Sequence, residues 1–341
     1  MPTIVTFGEL MLRLKPPGCL RLPQTTTLEA TFGGGEANVA VSLALFGHEA
    51  RFVSALPANP IGDWAVGELR RHGVDTRFSL RQGDRLGIYF LEAGASQRAS
   101  NVIYDRAGSA IAALGPGQVD WTRAFAGARW FHLTGITPAL SDPAAAACRE
   151  ALTAAKAAGV TTSMDLNYRK KLWTPAKAGQ VMATLMPFID VAIANEEDCE
   201  KVFAIKAGAT QVASGELQHR QYLEVAAQMT ARFPNLTHVA ITLRESHSAS
   251  HNGWSGLLVD RAGHSFSPHY DLAIVDRVGG GDSFAAGLIH ALISGKDRAQ
   301  AISYAVAASA LKHSVSGDFN LVSLAEVEAL VAGDGSGRVQ R

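Results

Sequence analysis

Two short glycine runs carry the residue types that phosphate chemistry needs. One is Thr31–Ala40, TFGGGEANVA; the other is Ile274–Gly287, IVDRVGGGDSFAAG. In the second, Gly279, Gly280 and Gly281 lead into an apolar helical stretch beginning near Asp282. Without side chains, three glycines let backbone N–H groups converge on an anion, and the positive end of a helix adds to that field. Asp282 then stands at the mouth of an anion hole. A carboxylate there can take the proton of an attacking hydroxyl while the amides hold the transferring phosphoryl group. On spacing alone, an aspartate that merely caps the helix explains the pattern about equally well. Three successive glycines are nevertheless entropically costly for a simple turn.

Other phosphate and cofactor patterns are missing. There is no GxxxxGK[ST], no HRD followed by its Asn, no DFG, and no GxGxxG after the first strand, where Gly8 is followed by Glu-Leu-Met. His247 and His251 stand four apart, but in SHSASHNGW, a polar loop sequence with no Glu after the first His, which argues against zinc.

The elements that must position these residues follow from periodicity. Ile4–Leu14 reads as a strand, Glu36–Phe46 as a helix ended by Gly47, Arg51–Ala55 as a strand and Asp63–His72 as a helix. Leu86–Ala107 is strand-like with Gly and Ser breaks, a small sheet set apart. Strands then alternate with helices: Arg129–Leu133, Pro143–Ala158, Val160–Leu166, Pro175–Met186, Val191–Ala194, Glu196–Phe203, a helix near Glu216–Phe233, and His238–Leu243. Trp254–Val259 and His264–Pro268 read as a hairpin, followed by helices near Asp282–Ser294, Arg298–His313 and Leu324–Val331. This alternation predicts an α/β fold with a mostly parallel sheet and helices on both faces. Ligands of such sheets sit beyond the carboxyl ends of the strands, where both glycine runs fall. A frayed polar tail is expected after Gly333.

The 341 residues are 47% apolar and 18% charged, enough to bury a large core. Lys plus Arg and Asp plus Glu both number 31, so no bulk field gathers nucleic acid or anionic lipid. Three scattered cysteines, Cys19, Cys148 and Cys199, fit neither a disulfide framework nor a zinc site. The N-terminus has no signal-peptide pattern and no apolar run reaches membrane length, so a soluble cytoplasmic protein is expected.

Taken together, the two glycine runs resemble the signatures of the ribokinase/phosphofructokinase-B family of carbohydrate kinases. The first is Gly33-Gly34-Gly35-Glu36-Ala37-Asn38, and the second, DTxGAGD-like, is Asp276-Arg277-Val278-Gly279-Gly280-Gly281-Asp282. Their order and separation match, and the likeness covers nearly the whole chain. It implies one three-layer α/β/α (ribokinase-like) domain over 1–341. A small β-sheet lid, from segments near 11–35 and 84–112, would cover the sugar. Four further stretches resemble members acting on 2-keto-3-deoxygluconate: GELMLRLKPPG (Gly8–Gly18), IYDRAGSA (Ile103–Ala110), LTGITPALS (Leu133–Ser141) and DLNYRKKLW (Asp165–Trp173).

The resemblance implies ATP-dependent phosphorylation of the terminal hydroxyl, with Asp282 as base and Gly279, Gly280 and Gly281 as its anion hole. It implies sugar contacts from Gly34, Asn38, Tyr89, Tyr104, Arg106 and Arg169. Nucleotide contacts are implied from Asn167, Arg169, Asn195, Gly279, Gly281 and the loop Arg244–Ala249, with Arg244 and Ser246. Mg²⁺ would involve Asp198, and a K⁺ requirement is left open. Forked arginines suit a sugar-acid carboxylate, and tyrosines add a donor and an apolar wall. Ordinary surface charge and lid packing are the competing readings of these side chains. Arg13, after the first strand, is a further candidate for the sugar.

Three positions depart from the pattern: Arg277 where Thr is frequent, Gly280 where Ala is frequent, and Asp198 where Glu stands in the Asn-x-x-Glu stretch. An acidic first helical turn explains Asp198 equally. Exposed strands of the lid favour a homodimer or larger assembly. The alternatives are a kinase for fructose, ribose or the galactonate epimer, a catalytically silent sugar sensor, and a nicotinamide dehydrogenase. The missing dinucleotide fingerprint argues against the last.

Overall fold

Strand Thr3–Phe7 is wholly buried, and its alternate residues serve opposite faces of a sheet. Ile4 packs into one apolar cluster with helices Gly35–Leu45, Gly280–Ile293 and Arg298–Lys312. Val5 and Phe7 pack into another with helices Asp142–Ala157 and Pro175–Leu185. A strand buried on both faces needs helices on both sides, hence three layers. The computed structural model describes residues 2–206, 215–335 and 337.

The large sheet has nine strands. Thr3–Phe7 pairs in parallel with Glu49–Val53 on one side and Ala128–Thr134 on the other. Parallel pairing continues through Thr161–Asp165, Val191–Ala194 and His238–Ser246. His251–Asp260 then adds antiparallel and carries both Gly263–Phe266 and Tyr270–Ala273. A separate four-stranded sheet runs Glu29–Gly33, Met11–Lys15, Gly87–Glu92, Asn101–Asp105. Its inner face, with Met11, Tyr89 and Leu91, packs on Val278 of the second glycine run.

The expected single strand Ile4–Leu14 is two strands, Thr3–Phe7 and Met11–Lys15, in different sheets. The chain crosses at Gly8, where a Cβ would overlap the Glu36 carboxylate. Both halves are apolar and alternate, so periodicity could not show the break. Arg244–Ser246, expected in a loop, closes the strand His238–Ser246, because the hairpin is longer than its apolar core. Strand Tyr270–Ala273 and the short helices Trp121–Ala124 and Ile136–Ala139 had no distinct signal. The helix expected near Glu216 runs Gly215–Arg232. Much of the polar tail lies outside the described residues. Among the described residues no helix is long and apolar enough to cross a membrane, and Cys19 is exposed while Cys148 is buried.

Candidate active site

Helix Gly280–Ile293 starts from Gly279, whose φ of +86° is left-handed. Three glycines stand here for three reasons. At Gly279 a Cβ would overlap the Asp318 carbonyl oxygen and come 3.2 Å from Lys312 Cε. At Gly280 it would sit 2.6 Å from the His313 ring. At Gly281 its nearest neighbour would be Asp165 Oδ2 at 4.0 Å, so this position faces open space. The Gly280 N–H turns back to the Arg277 carbonyl at 3.4 Å, which leaves the Gly281 and Asp282 N–H groups of the first turn without an intrahelical acceptor. The loop is therefore shaped by contact at two positions and left bare at the third, as an anion seat requires.

Asp282 lies one residue further. Asn38 Nδ2 donates to its Oδ2 at 2.7 Å, while Asn38 Oδ1 accepts the Gly34 N–H at 3.2 Å. Asn38 thus joins the two glycine runs and orients the carboxylate. Gly34 must be glycine because a Cβ would overlap the Glu9 carbonyl. Burial pushes the Asp282 carboxyl up to about 6, against the Asn38 hydrogen bond and the charges of Arg169 and Lys312; Asp318 adds to the rise.

Two more carboxylates stand close. Burial, then the charges of Asp198 and Asp282, push Asp165 well above the usual range. Asp165 ends strand Thr161–Asp165 and its Oδ1 accepts the Asn167 N–H at 3.1 Å. Asn167 holds a left-handed φ of +41°. Asp198 caps helix Glu196–Phe203 together with Asn195: Asn195 Oδ1 accepts the Asp198 N–H at 2.8 Å. Its own Oδ1 accepts the Tyr168 N–H at 2.9 Å, and burial raises it to about 6. The helix-capping explanation therefore holds for Asp198, which does not by itself remove it from a cation. Arg169 is exposed; its Nη1 donates to the Tyr168 carbonyl at 3.4 Å, and its charge reaches Asp165, Asp198 and Asp282.

On the small sheet, several side chains that the resemblance implied as sugar contacts also meet partners within the protein. Tyr89 is buried and its hydroxyl donates to Asp318 Oδ1 at 2.6 Å. Arg13 is also buried, paired with Asp276 and, at 2.6 Å, with Asp318. Arg106 is paired with Glu9, and its Nε has no partner. Its guanidinium lies 4.9 Å from the centre of the Tyr104 ring. Tyr104 faces Tyr89 across the strand pair. Tyr89, Arg13 and Arg106 thus have their polar ends engaged within the protein, because carboxylates distant in sequence meet them. Tyr104 and Arg169 remain open to a ligand. On the other side, Arg244 lies over the Trp254 ring at 5.1 Å and Ser246 is exposed. His247 and His251 face each other across the hairpin turn with ring centres 5.1 Å apart. No group of three or more metal-ligand side chains occurs among the described residues.

Asp282, Asn38, Gly34, Asp165, Asp198, Asn195, Asn167, Arg169 and the glycine loop therefore form one region at the carboxyl ends of the sheet. Comparison with known proteins agrees on what such a region serves. Residues 1–323 match the model of the pfkB family of carbohydrate kinases. The chain belongs to that family. The crystal structure of a 2-dehydro-3-deoxygluconokinase from Thermotoga maritima superposes with a TM-score of 0.93. It is 48% identical, covering 97% of this chain and 98% of that one. A 2-dehydro-3-deoxygalactonokinase of Haloferax volcanii is 35% identical over 336 residues, 98% of each chain. A 2-dehydro-3-deoxygluconokinase of Thermoproteus tenax is 29% identical over 324 residues, 93% of this chain and 90% of that one.

As a carbohydrate kinase of this family, the chain holds residues around its site that sequence reasoning passed over. Asp318 supports both glycine runs, since a Cβ on Gly33 would overlap its carboxylate. Lys312 is wholly buried under Gly279 and donates to the Val315 carbonyl at 3.0 Å. Its only sequence signal is a lysine on the apolar side of an Ala-rich helix. Glu36, raised to about 7 by burial, accepts from Thr134 and Thr137 and braces the first run.

Proposed function

We propose that this kinase transfers the γ-phosphoryl group of ATP to the terminal hydroxyl of 2-keto-3-deoxygluconate, giving 2-keto-3-deoxy-6-phosphogluconate. One observation carries the reading: the Asp282 carboxylate, held by Asn38 at 2.7 Å, stands at the mouth of the glycine loop with its pKa raised to about 6. At neutral pH such a group is ionised yet more basic than an ordinary aspartate, which suits proton removal from an alcohol as phosphate is attacked. The bare Gly281 and the helix N-terminus hold the transferring group's negative charge. Arg169 reaches across the site toward the substrate carboxylate or the phosphates.

A magnesium ion fits beside Asp165 and Asp198. Burial raises both carboxyls and the charge of Asp198 raises Asp165 further; a divalent cation would relieve them, bound through water and phosphate rather than as a closed cage. When bound, it neutralises phosphate charge. The small sheet, from strands within 11–35 and 84–112, serves as a lid over the sugar in the single domain. Its edges, Glu29–Gly33 and Asn101–Asp105, favour a homodimer or larger assembly, and sedimentation should show at least twice the 36.0 kDa chain mass. Sedimentation at the chain mass alone contradicts that assembly. Three cysteines scattered through 341 residues agree with a reducing, cytoplasmic setting.

The high identity to the gluconate enzyme of Thermotoga maritima favours the gluconate epimer over the galactonate one. An ADP-release assay over both sugar acids, fructose and ribose tests this. The greatest specificity constant is expected for 2-keto-3-deoxygluconate. A greater one for the galactonate epimer or a neutral sugar would reassign the substrate.

A further inference from the structure

Of the three residues before the glycines, two hold the small sheet and the one between them reaches a turn that touches its tip. Asp276 accepts from Arg13 of strand Met11–Lys15. Val278 packs under the same sheet, on Met11, Tyr89 and Leu91. Arg277 lies between them, and its Nη2 donates to the Ala249 carbonyl at 3.3 Å. Ala249 sits in the turn between strands His238–Ser246 and His251–Asp260. Its N–H donates to the Ser96 carbonyl at 2.8 Å, at the tip of the hairpin joining Gly87–Glu92 to Asn101–Asp105. Ser96 N–H in return donates to Ser250 Oγ at 3.0 Å. Gly94 closes on the same turn, since a Cβ there would lie 2.9 Å from that of Ala249. The Ser250 carbonyl accepts the Ile274 N–H at 2.9 Å, so the turn is anchored to the chain entering the glycine run.

A continuous line of contacts therefore runs from the tip of the small sheet, through residues 247–250, to Arg277 and the glycines. The links at the base of the sheet are the buried Arg13 and the half-buried Val278. The links at the tip are a few hydrogen bonds near solvent, weak enough to open and re-form.

We propose that Arg277 is a positioning residue that ties closure of the small sheet over the sugar acid to placement of the glycine loop on the nucleotide phosphates. The two substrates then bind with positive cooperativity. The proposal rests on the reading of the small sheet as a lid and of the glycines as the phosphate seat. An arginine suits the task because its long side chain reaches the Ala249 carbonyl from the loop while its backbone stays in line with Asp276 and Val278. By linkage, whatever factor the nucleotide adds to sugar affinity, the sugar adds to nucleotide affinity.

Calorimetric titration tests this. Wild-type protein is titrated with 2-keto-3-deoxygluconate, with and without saturating adenylyl-imidodiphosphate and Mg²⁺, and in the reverse order. Sugar affinity should rise about tenfold with the nucleotide present, inside the usual range of about 5–150-fold for coupled sites. Arg277→Thr should bring this factor close to one, with each substrate's separate affinity nearly unchanged. Ser250→Ala, which removes the acceptor of Ser96 N–H from an exposed turn, should do so without risk to folding, and Arg277→Lys should restore part of the factor. A merely structural role would lower both separate affinities and leave their ratio intact. Variants that keep the wild-type factor, or a wild type that binds both ligands independently, contradict the coupling alone. A wild type that binds nucleotide but no sugar acid contradicts the substrate assignment and the coupling with it.

Discussion

Asp282→Asn is expected to lower turnover by at least about 10²-fold, the lower end for losing acid–base catalysis, while nucleotide affinity stays near normal. Asn presents an oxygen of similar shape to Asn38, so the hydrogen bond that orients the site survives. A stability measurement separates this from damage. The wild-type carboxyl titrates near 6 when folded, against 3.8 as the ordinary value. Well below pH 3.8 it is protonated in both folded and unfolded chains and costs nothing. As pH rises through the window from 3.8 to about 6, the unfolded chain ionises more readily and the folded state loses stability relative to it. The Asn variant escapes this loss. At pH 7 it should be at least as stable as wild type, with the difference gone only well below pH 3.8. Turnover of wild type should fall below pH 6 as the base becomes protonated. Near-normal turnover in the variant would remove Asp282 from the chemistry.

Arg169→Ala is expected to weaken use of 2-keto-3-deoxygluconate by roughly 10–100-fold in specificity. A charge-assisted hydrogen bond contributes about 1.5–3 kcal/mol, and about 1.4 kcal/mol corresponds to tenfold. Lys at this position should rescue only part, since it offers a point charge in place of a fork. Arg169 is the arginine to test, because it is exposed beside the acidic cluster whereas Arg106 is already paired with Glu9. If Arg169 reads the substrate carboxylate, the loss is larger for sugar acids than for neutral sugars. If it reads phosphate, the ATP requirement rises equally for every sugar. An unchanged constant for the sugar acid would take Arg169 out of the carboxylate site.

The parts of this site visible in the sequence are those carried by short contiguous runs. Gly279–Gly281 and Asp282 adjoin one another, and the helix that presents them follows at once from its apolar pattern. Asn38 was visible as part of the first run, though its bond to Asp282, across 244 positions, was not. Strand and helix types emerged because each element repeats its burial pattern locally, as in Val191–Ala194 and Leu324–Val331. Side-chain partners do not obey that rule. Arg13 meets Asp318 across 305 positions and Tyr89 meets it across 229. No local pattern marks Asp318 as the acceptor; the family resemblance implied Tyr89 as a sugar contact, and the place of Arg13 after the first strand suggested it as another. The pairing of Arg106 with Glu9 was equally hidden, since Glu9 lies in the crossing between two sheets that looked like one strand. Arg277, without a role in the sequence pattern, gained one only when the hairpin turn at Ala249 was placed beside it.

The central claim is that this site moves a phosphoryl group from ATP to the terminal hydroxyl of a sugar acid through the Asp282 carboxylate. Phosphorus and carbon NMR of the product, from 2-keto-3-deoxygluconate with ATP and Mg²⁺, reads that step directly. A phosphomonoester coupled to the terminal CH₂ carbon should accumulate with wild-type protein and be nearly absent with Asp282→Asn over the same time. Phosphate on another carbon, ATP hydrolysis without a sugar phosphate, or equal product from the Asn variant would contradict the account.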